Sequence, residues 1–399
     1  MNKKTVRDIS PAGCRVLMRV DFNVPLDENC KVTSDKRIRA AVPTIEYIIS
    51  RGGRLVLMSH LGRPKGERVD KMSLKPCVEV LSGLIGKPVK FAGDCVGEMA
   101  EKAVAELNDG EVLLLENLRF HNEETDNDPD FSRQLAGLAD IYVNDAFGTA
   151  HRAHASTAGL TGFVSTAVSG LLMEKEIRYL DGAVNNPVRP FLAVLGGAKI
   201  SGKIDVIENL LPKVDKLIIG GGMAYTFFKA RGLEIGNSLC EQDRVPMAAE
   251  LLQKASDKLL LPVDCVISDK FDFAERTVGQ LKVVPVERIE KDWEALDIGP
   301  ETVKIFAGAL DSAKTVVWNG PMGVFEIPAL AKGTEEVAAK IAEVTDKGAQ
   351  SIIGGGDSVA AVEQMGLSRR MTHISTGGGA SLELLEGKEL PGLAALNEA

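Results

Sequence analysis

One pattern recurs along almost the whole chain: a short apolar segment, then a polar or glycine-containing loop, then a helical stretch. The apolar segments, such as Arg15–Val20 and Arg54–Ser59, are hydrophobic nearly throughout rather than at alternate positions. Strands that are buried on both faces have this composition, which is typical of parallel sheets. The repetition therefore predicts the α/β fold class, with doubly wound, mostly parallel sheets that are covered by helices on both faces.

The length of the chain predicts two such domains. With 399 residues and roughly 100–200 residues to a domain, two is the expected number. Arginine and histidine dominate the loops of the first half, whereas glycine dominates those of the second. A helical pattern at Met173–Val184 separates the halves and is followed by the helix breaker Asn185–Pro187. We therefore expect an N-terminal domain over residues 1–172, a hinge helix and linker over 173–187, and a second domain over 188–385.

The composition argues against several classes of protein. The apolar runs are far shorter than the roughly 20 residues that a membrane-spanning helix needs, and no apolar stretch of a signal peptide follows the first basic residues. The formal net charge of −9 argues against nucleic acid or an anionic membrane as the main partner. The 6 cysteines show neither CxxC pairs nor zinc-type spacing with histidine, which favours reduced thiols in a cytoplasmic protein.

Basic and polar side chains follow four strand-like segments of the first half. Doubly wound domains bind ligands beyond the carboxyl ends of their strands. A guanidinium group matches the oxygens of a carboxylate or phosphate two at a time, so a small acid carrying both groups is the natural ligand. A lone arginine is usually solvated or salt-bridged, and this is what we expect for Arg39. We expect the side chains of His121 and His154 to have structural roles. The candidate residues are Arg37, His60, Arg63, Arg119, His151 and Arg152, with Asp21 and Asn23 as hydrogen-bonding partners.

Glycine-rich turns follow four strand-like segments of the second half. Such turns let backbone N–H groups approach phosphate oxygens, and the N-terminus of the next helix adds a positive dipole. They lack the Gly-x-Gly-x-x-Gly pattern of dinucleotide sites. The stretch Gly197–Ile204 nearly matches a P-loop but places Ile204, which has no hydroxyl, where a Ser or Thr must hold Mg²⁺. A nucleotide site of another kind is predicted at Gly196-Gly197, Gly220–Gly222, Gly354–Gly356 and Gly377–Gly379.

Asp357 directly follows the third of these turns. A carboxylate at this point can hold a magnesium ion that is bound to nucleotide phosphates. It can equally cap the helix that follows. Its position alone leaves both roles open.

Several motifs make the chain resemble the phosphoglycerate kinase family. They begin at Arg19–Pro25, keep the order found in the family and span nearly the whole chain. The other matching motifs are Ser59–Pro64, Glu116–Phe120, Asn144–Gly148, His151–Ser156, Leu195–Lys203, Gly220–Tyr225, Trp318–Glu326, Gly354–Ser358 and Ser375–Ser381.

This resemblance implies an activity and an architecture. The activity is that of a phosphotransferase with a carboxyl group as acceptor. It is the reversible, Mg²⁺-dependent transfer of a phosphoryl group from 1,3-bisphosphoglycerate to ADP, giving 3-phosphoglycerate and ATP in glycolysis and gluconeogenesis. The architecture is two domains joined by a hinge, with a C-terminal tail of about residues 386–399 packed back on the first domain. A cytoplasmic monomer is the family expectation.

The resemblance also assigns residues. Glu326 is expected at the ribose hydroxyls and Asp357 at Mg²⁺. Ser358 stands where many members have Thr, and Ala295 stands where many have Gly near the adenine pocket; both bear on nucleotide affinity rather than on activity. The implied 3-phosphoglycerate site comprises Asp21, Asn23, Arg37, His60, Arg63, Arg119 and Arg152. The implied ATP/ADP site comprises Lys203, Gly220, Gly221, Glu326, Gly355, Gly356, Asp357 and Ser358.

The chemistry needs neither a covalent enzyme intermediate nor a general base, because an acyl phosphate is a good donor and the ADP β-phosphate a competent nucleophile. We expect Arg37 and Lys199 to stabilise the transferring group from opposite domains. Two ligands held by different domains imply hinge closure. The alternatives are a kinase for another small acid and a non-catalytic nucleotide-binding protein; the missing glycine fingerprint disfavours a nicotinamide oxidoreductase.

Overall fold

The structure, a computed structural model, describes residues Asn2–Ala399. These residues divide into two units. The first comprises the chain up to Arg178 together with Glu389–Ala399, and the second comprises Tyr179–Lys388. The bounds of the functional domains stay a prediction. No helix in the described residues is both long enough and apolar enough to span a membrane.

A parallel six-stranded sheet lies at the centre of the first unit, in the order β3-β4-β2-β1-β5-β6. The chain leaves β1 for β2 on one side and returns to β5 on the other, so the order of connection reverses between β1 and β5. Open α/β sheets bind ligands beside such a reversal. The strands are β1 (Arg15–Arg19), β2 (Arg54–Met58), β3 (Val89–Phe91), β4 (Val112–Leu114), β5 (Ile141–Asn144) and β6 (Ala167–Ser169).

Helices cover this sheet, as the uniformly apolar strands predict. Alternate strand residues, including Val16 and Leu55, pack in one core with Ile38, Ile45 and Ile48. Those three isoleucines recur at helical spacing along one face of α1, so the helix buries that face on the sheet. The helices are α1 (Lys36–Ile49), α2 (Pro76–Ile85), α3 (Gly97–Ala105), α4 (Asn122–Asp126), α5 (Pro129–Gly137) and α6 (Leu171–Asn185).

A second parallel six-stranded sheet forms the centre of the other unit, in the order β17-β16-β15-β7-β8-β9. Here the order of connection reverses between β7 and β15. The predicted strands are all present to within a residue or two, whereas the short edge strands β3, β6 and β9 were not predicted. The strands are β7 (Phe191–Leu195), β8 (Lys216–Ile219), β9 (Leu259–Leu260), β15 (Thr315–Asn319), β16 (Gln350–Gly354) and β17 (His373–Ile374).

A small antiparallel insertion lies between β9 and β15 in the chain. One part is a three-stranded sheet in the order β13-β10-β14, and the other is the pair β11 and β12. The fold class remains mostly parallel α/β, as predicted. The inserted strands are β10 (Asp264–Ser268), β11 (Phe271–Asp272), β12 (Thr277–Val278), β13 (Leu281–Pro285) and β14 (Glu294–Ile298).

Helices also cover the second sheet. Val337, Ile341 and Val344 share one helical face, which is buried in a core that includes Val316 and Trp318. The helices are α7 (Ile204–Leu210), α8 (Met223–Ala230), α9 (Val245–Ala255), α10 (Pro300–Leu310), α11 (Lys332–Asp346), α12 (Gly356–Gln364) and α13 (Gly379–Leu385).

The last residues of the chain, with α14 (Pro391–Ala394), belong to the first unit. The side-chain amide of Asn144 donates to the carbonyl of Gly392 at 3.0 Å. The side-chain oxygen of Asn397 accepts from the backbone N–H of Ala167 at 2.8 Å. The C-terminal segment is thus hydrogen-bonded to the ends of β5 and β6.

The start of α6 is held by a fully buried carboxylate. Asp145 accepts the backbone N–H groups of Leu172 at 2.9 Å and Met173 at 3.1 Å through one oxygen, Oδ1. Its other oxygen, Oδ2, is buried without a hydrogen-bond partner. Burial raises the pKa of Asp145 to about 7, against the lowering effect of the hydroxyl of Thr44 and these two N–H groups.

Substituting Asp145→Asn should therefore change how stability depends on pH. Between an unfolded pKa of 3.8 and a folded pKa of about 7, the folded protein binds a proton that the unfolded chain does not, so this residue makes stability fall as pH rises. Asparagine cannot ionise. Urea unfolding at pH 4 to 7 should show the variant gaining free energy of unfolding relative to the native protein as pH rises; a constant difference would contradict the assignment.

Candidate active site

In the first unit, the residues predicted to bind an anion follow the carboxyl ends of neighbouring parallel strands. His60 follows β2, Arg119 follows β4 and Arg152 follows β5. The carboxyl ends of parallel strands meet at one edge of a sheet, so these side chains face a common region. The pKa of Arg119 responds to the charges of Arg63 and Arg152, which places the three cations within electrostatic reach of one another.

Arg119 carries the clearest sign of an anion site. Its Nη1 donates to the carbonyl of Gly62 at 2.8 Å, but its Nε is buried without a hydrogen-bond partner. Burial, followed by the positive charges of Arg19 and Arg152, lowers its pKa to about 10. A bound carboxylate or phosphate would both satisfy the donor and relieve the crowding of positive charge.

His60 is buried and neutral. Its Nδ1 lies 3.1 Å from Nη2 of Arg19. Because arginine only donates, Nδ1 accepts and the ring proton sits on Nε2. Burial holds the pKa of His60 well below its usual range, and the charges of Arg19 and Arg119 lower it further. The neutral ring therefore offers a ligand an N–H donor and no charge.

Beneath these residues lies a buried polar layer that the sequence did not predict. Arg19 is fully buried, and its Nε donates to Oγ of Ser156 at 2.8 Å. Ser156 in turn donates through Oγ to Glu124 at 2.6 Å and through its backbone N–H to the other carboxylate oxygen at 2.9 Å. Glu124 is also fully buried. The layer holds Arg19, and through it His60, in position.

The remaining predicted residues are more exposed. Arg37 donates through Nη1 to Oδ2 of Asp21 at 2.7 Å, while 42% of its side chain stays exposed. The side-chain oxygen of Asn23 accepts from the backbone N–H of Gly62 at 2.9 Å. Arg63 is exposed, and Nε of the exposed Arg152 lies 3.2 Å from Nε2 of His151.

The two histidines expected to be structural lie beside carboxylates. His121 Nε2 is 2.7 Å from Oδ1 of Asp94. The Nδ1 atom of His154 is 3.7 Å from Glu124. Burial and neighbouring arginines lower the pKa of His154 to about 4, so His154 is neutral at physiological pH.

In the second unit, the glycine turns after β7, β15 and β16 enclose a polar cavity of about 370 Å³. It lies beside the reversal in strand order, where this fold class binds ligands. Its lining combines backbone, two lysines and a carboxylate. The lining residues are Gly196, Gly197, Ala198, Lys199, Lys203, Asn319, Gly320, Gly355, Gly356, Asp357, Ser358, Gly378, Gly379 and Leu382.

Lys203 is partly buried in the wall of this cavity and donates to the side-chain oxygen of Asn319. Burial lowers its pKa to about 8, although the carboxylates of Asp357 and Glu386 favour its charged form. A phosphate in the cavity would stabilise the cation further. Lys199 and Asp357 are exposed on the same lining.

Helix α12 begins at this cavity, and no side chain caps its first turn. Its nine residues start at Gly356, and Gly355 before them adopts a φ of 83°, which favours glycine. Uncapped N–H groups at a helix N-terminus attract phosphate. The capping role that position alone left open for Asp357 is not formed, so its carboxylate stays available as an oxygen ligand of the kind that Mg²⁺ prefers.

Two other predicted residues have structural roles. Ser358 is buried, and its Oγ accepts from the backbone N–H of Gly320 at 2.5 Å. Gly220 is buried against Met322, whose Sδ lies 2.5 Å from the place a Cβ would occupy. Gly221 rather than Gly220 lines a cavity, the apolar one described next.

An apolar cavity of about 400 Å³ adjoins the polar one and shares Gly197, Ala198 and Asp357 with it. An apolar cavity beside a polar cavity that suits phosphate groups can accommodate the base of a nucleotide. Glu326 and Ala295, both named from the sequence, lie in its lining. The hydrophobic lining residues that the sequence did not predict are Tyr225, Leu239, Phe271, Phe273, Leu296 and Val324.

Two phenylalanines of the insertion form part of this apolar wall. The ring centroids of Phe271 and Phe273 are 6.4 Å apart in an edge-on arrangement. Phe273 is 56% exposed, which is unusual for so large a hydrophobic side chain. Its exposed ring is available to cover a ligand in the cavity.

Comparison with known proteins agrees with this geometry. Residues 6–388 match the family model described as phosphoglycerate kinase. The chain is 57% identical to the phosphoglycerate kinase of Chloroherpeton thalassium, with all of both chains covered. It is 57% identical to the cytosolic enzyme of Nicotiana tabacum, covering 100% of this chain and 99% of that one. The solved phosphoglycerate kinase from Coxiella burnetii is 40% identical, with a TM-score of 0.90 over 98% of each chain.

Replacing Ser156 with alanine tests the buried layer. The substitution leaves Nε of Arg19 and a carboxylate oxygen of Glu124 buried without a partner, at a cost of about 1–3 kcal/mol. Chemical unfolding should show this loss. Ser132→Ala is the matched control, because Ser132 is equally buried but its hydroxyl makes no hydrogen bond in the described structure. Equal losses in both variants would contradict the role given to Ser156.

Proposed function

The chain belongs to the phosphoglycerate kinase family, and on that premise we propose how its residues carry out the reaction. The reaction is the reversible, Mg²⁺-dependent transfer of a phosphoryl group from 1,3-bisphosphoglycerate to ADP, giving 3-phosphoglycerate and ATP. The observation that best supports the assignment is the pair of adjoining cavities, one polar with Lys203 and Asp357 and one apolar. A nucleotide needs this combination.

The phosphoglycerate is proposed to bind in the cationic pocket of the first unit. The buried, unpartnered Nε of Arg119 supplies a donor to its anionic groups, and the N–H of neutral His60 supplies another. Asp21 and Asn23 are positioned by Arg37 and Gly62 to meet its hydroxyl. Arg63 and Arg152 contribute further charge. Because the cations of the pocket repel one another, an anion with two charged groups would bind more tightly than a singly charged anion.

The nucleotide is proposed to bind in the second unit, with its base in the apolar cavity and its phosphates in the polar one. Glu326 would accept from the ribose hydroxyls. Lys203, Gly355, Gly356 and the start of α12 would hold the phosphates, and Gly221 would lie against the nucleotide in the apolar cavity. The carboxylate of Asp357 would hold Mg²⁺, which neutralises phosphate charge when it is bound.

The transfer itself is proposed to be direct and in line. The acyl phosphate is an activated donor, so the protein positions the reactants and stabilises charge on the moving group. Arg37 acts from the first unit and Lys199 from the second. Since the ligands are held by different units, the units must close to bring them together, and closure also limits hydrolysis.

The enzyme acts on small molecules, and we propose that it does so as a cytoplasmic monomer. All six cysteines lie in the described residues and are free thiols, as expected of a reducing compartment. The acidic net charge of −9 supports the proposal that nucleic acid is not a partner.

Substituting Arg37→Ala should lower kcat by about 10²–10³, because it removes an electrostatic stabiliser of the transferring group. Steady-state assay of ATP formation measures the effect. Arg39→Ala is the control: Arg39 is on the same helix, is 62% exposed and pairs with Asp35. Full turnover in Arg37→Ala, or an equal loss in Arg39→Ala, would remove Arg37 from the mechanism.

Phe273→Ala should raise KM for ADP by about 2- to 12-fold with little change in kcat, since an aromatic contact contributes about 0.5–1.5 kcal/mol. KM for 1,3-bisphosphoglycerate should not move. Phe163→Ala serves as control, because Phe163 is also a partly exposed phenylalanine, at 43%, but belongs to the first unit. An unchanged KM for ADP in Phe273→Ala would show that the ring does not cover the base.

A further inference from the structure

A group of three side chains at the edge of the first sheet is not used in the mechanism above. Asp94 and Cys95 follow β3, and His121 follows the turn after β4. These strands are parallel neighbours, with Phe91 beside Leu114, so both loops open at the same edge. A carboxylate oxygen of Asp94, Sγ of Cys95 and a ring nitrogen of His121 all lie within 4.8 Å of one another.

The geometry within the group is tight. Nε2 of His121 lies 2.7 Å from Oδ1 of Asp94, and the same oxygen accepts from the backbone N–H of Cys95 at 2.7 Å. The ring of Phe131 packs against His121, with centroids 5.3 Å apart, which restricts the orientation of the imidazole. The three donors are therefore held together by both the backbone and the packing.

The three side chains differ in their exposure to solvent. The Cys95 side chain is fully buried, whereas His121 and Asp94 are 28% and 29% exposed. An open cavity of about 860 Å³, lined by Gly93, Phe91 and Arg68, begins next to Asp94. The carboxylate and the imidazole are therefore partly open to solvent, and the thiol lies within 4.8 Å of both.

We propose that Asp94, Cys95 and His121 form a binding site for one transition-metal ion of the zinc class, with solvent as the fourth ligand. Thiolate, imidazole and carboxylate are the ligand types that zinc takes. Ligand bonds of 2.0–2.3 Å in a tetrahedron place the donor atoms about 3.5 Å apart. The donors already lie within 4.8 Å of one another, so small side-chain rotations suffice.

The charges around the group suit a divalent cation. A carboxylate and a thiolate neutralise its two charges, and Glu123 and Glu124 lie within electrostatic reach of His121 and Cys95. Arg68 opposes them, but it donates to the carbonyl of Gly93 at 2.9 Å and is drawn towards Glu116. The net charge of the side chains around the group therefore favours the binding of a cation.

The chemistry separates this site from the magnesium site proposed at Asp357. The proposed site contains a thiol, that of Cys95, whereas the lining of the polar cavity around Asp357 contains none. A transition metal deprotonates a coordinating thiol outright. Magnesium prefers an all-oxygen shell, so it would not compete effectively for this site.

Cobalt(II) is the suitable probe, because coordination by a thiolate gives it a charge-transfer band in the near ultraviolet. Coordination by oxygen ligands alone does not produce this band. The reduced full-length protein, without nucleotide, is titrated with Co²⁺. The band should saturate at one equivalent, should be lost when Zn²⁺ is added, and should appear with release of protons. A band that is absent from the native protein at one equivalent would overturn the proposal.

Two variants test the proposed ligands, and a third serves as the control. Cys95→Ala should abolish the band, and His121→Gln should weaken Co²⁺ binding at least about 10-fold. Cys77→Ala is the matched control, since Cys77 is also fully buried in the first unit but has no such partners, and it should leave the titration unchanged. If Cys95→Ala does not fold, judged by circular dichroism, the partly exposed His121→Gln decides the question. Unchanged affinity in His121→Gln, or a band that survives in a folded Cys95→Ala, would overturn the site.

Discussion

Positive charge concentrated at one edge of the first sheet is the constraint on which the rest of that unit depends. Arg19 and Arg152 lie close enough to Arg119 to disfavour its charged form, in a chain whose net charge is −9. Such a cluster would be costly if it were simply buried. Glu124 offsets part of the cost through Ser156, and the proposed anionic ligand would offset more of it.

The second unit differs from the first, because its proposed ligand is a polyanion but its candidate site has no large cluster of cations among the described residues. Backbone N–H groups at glycine turns and the uncapped start of α12 supply partial positive charge. Burial lowers the pKa of Lys203 to about 8, and a bound phosphate would favour its charged form. The antiparallel insertion adds an apolar wall beside these groups. In the proposed function, the glycine turns would bind phosphate and the insertion would bind the base.

Sequence reasoning predicted the fold class, which is confirmed, and placed the polar candidate residues for the same reason. Strands buried on both faces are apolar throughout, and the residues that follow their carboxyl ends are neighbours by topology, so His60 and Arg119 could be placed together. The burial of Arg19 was not predicted, because Arg19 lies at the end of a strand, where a basic residue usually marks the approach of an exposed loop. Phe273 and Leu296 were not predicted because Phe273 lies in the turn after β11 and Leu296 lies in β14, and periodicity carries no information on which segments of an irregular insertion meet. Ser358 lines the polar cavity and also accepts a hydrogen bond from Gly320, a contact that spacing does not predict.

The magnesium-dependent chemistry at Asp357 tests the account most directly, because it links the nucleotide cavity to the reaction. ATP formation from 1,3-bisphosphoglycerate and ADP should be measured for the native protein and for Asp357→Ala across a range of Mg²⁺ concentrations. The account predicts rapid turnover by the native protein, and in the variant a large loss of turnover together with a raised requirement for Mg²⁺. Native-like turnover at the same Mg²⁺ concentration in Asp357→Ala would contradict the metal assignment, and a native protein that binds ATP without forming it would contradict the reaction itself.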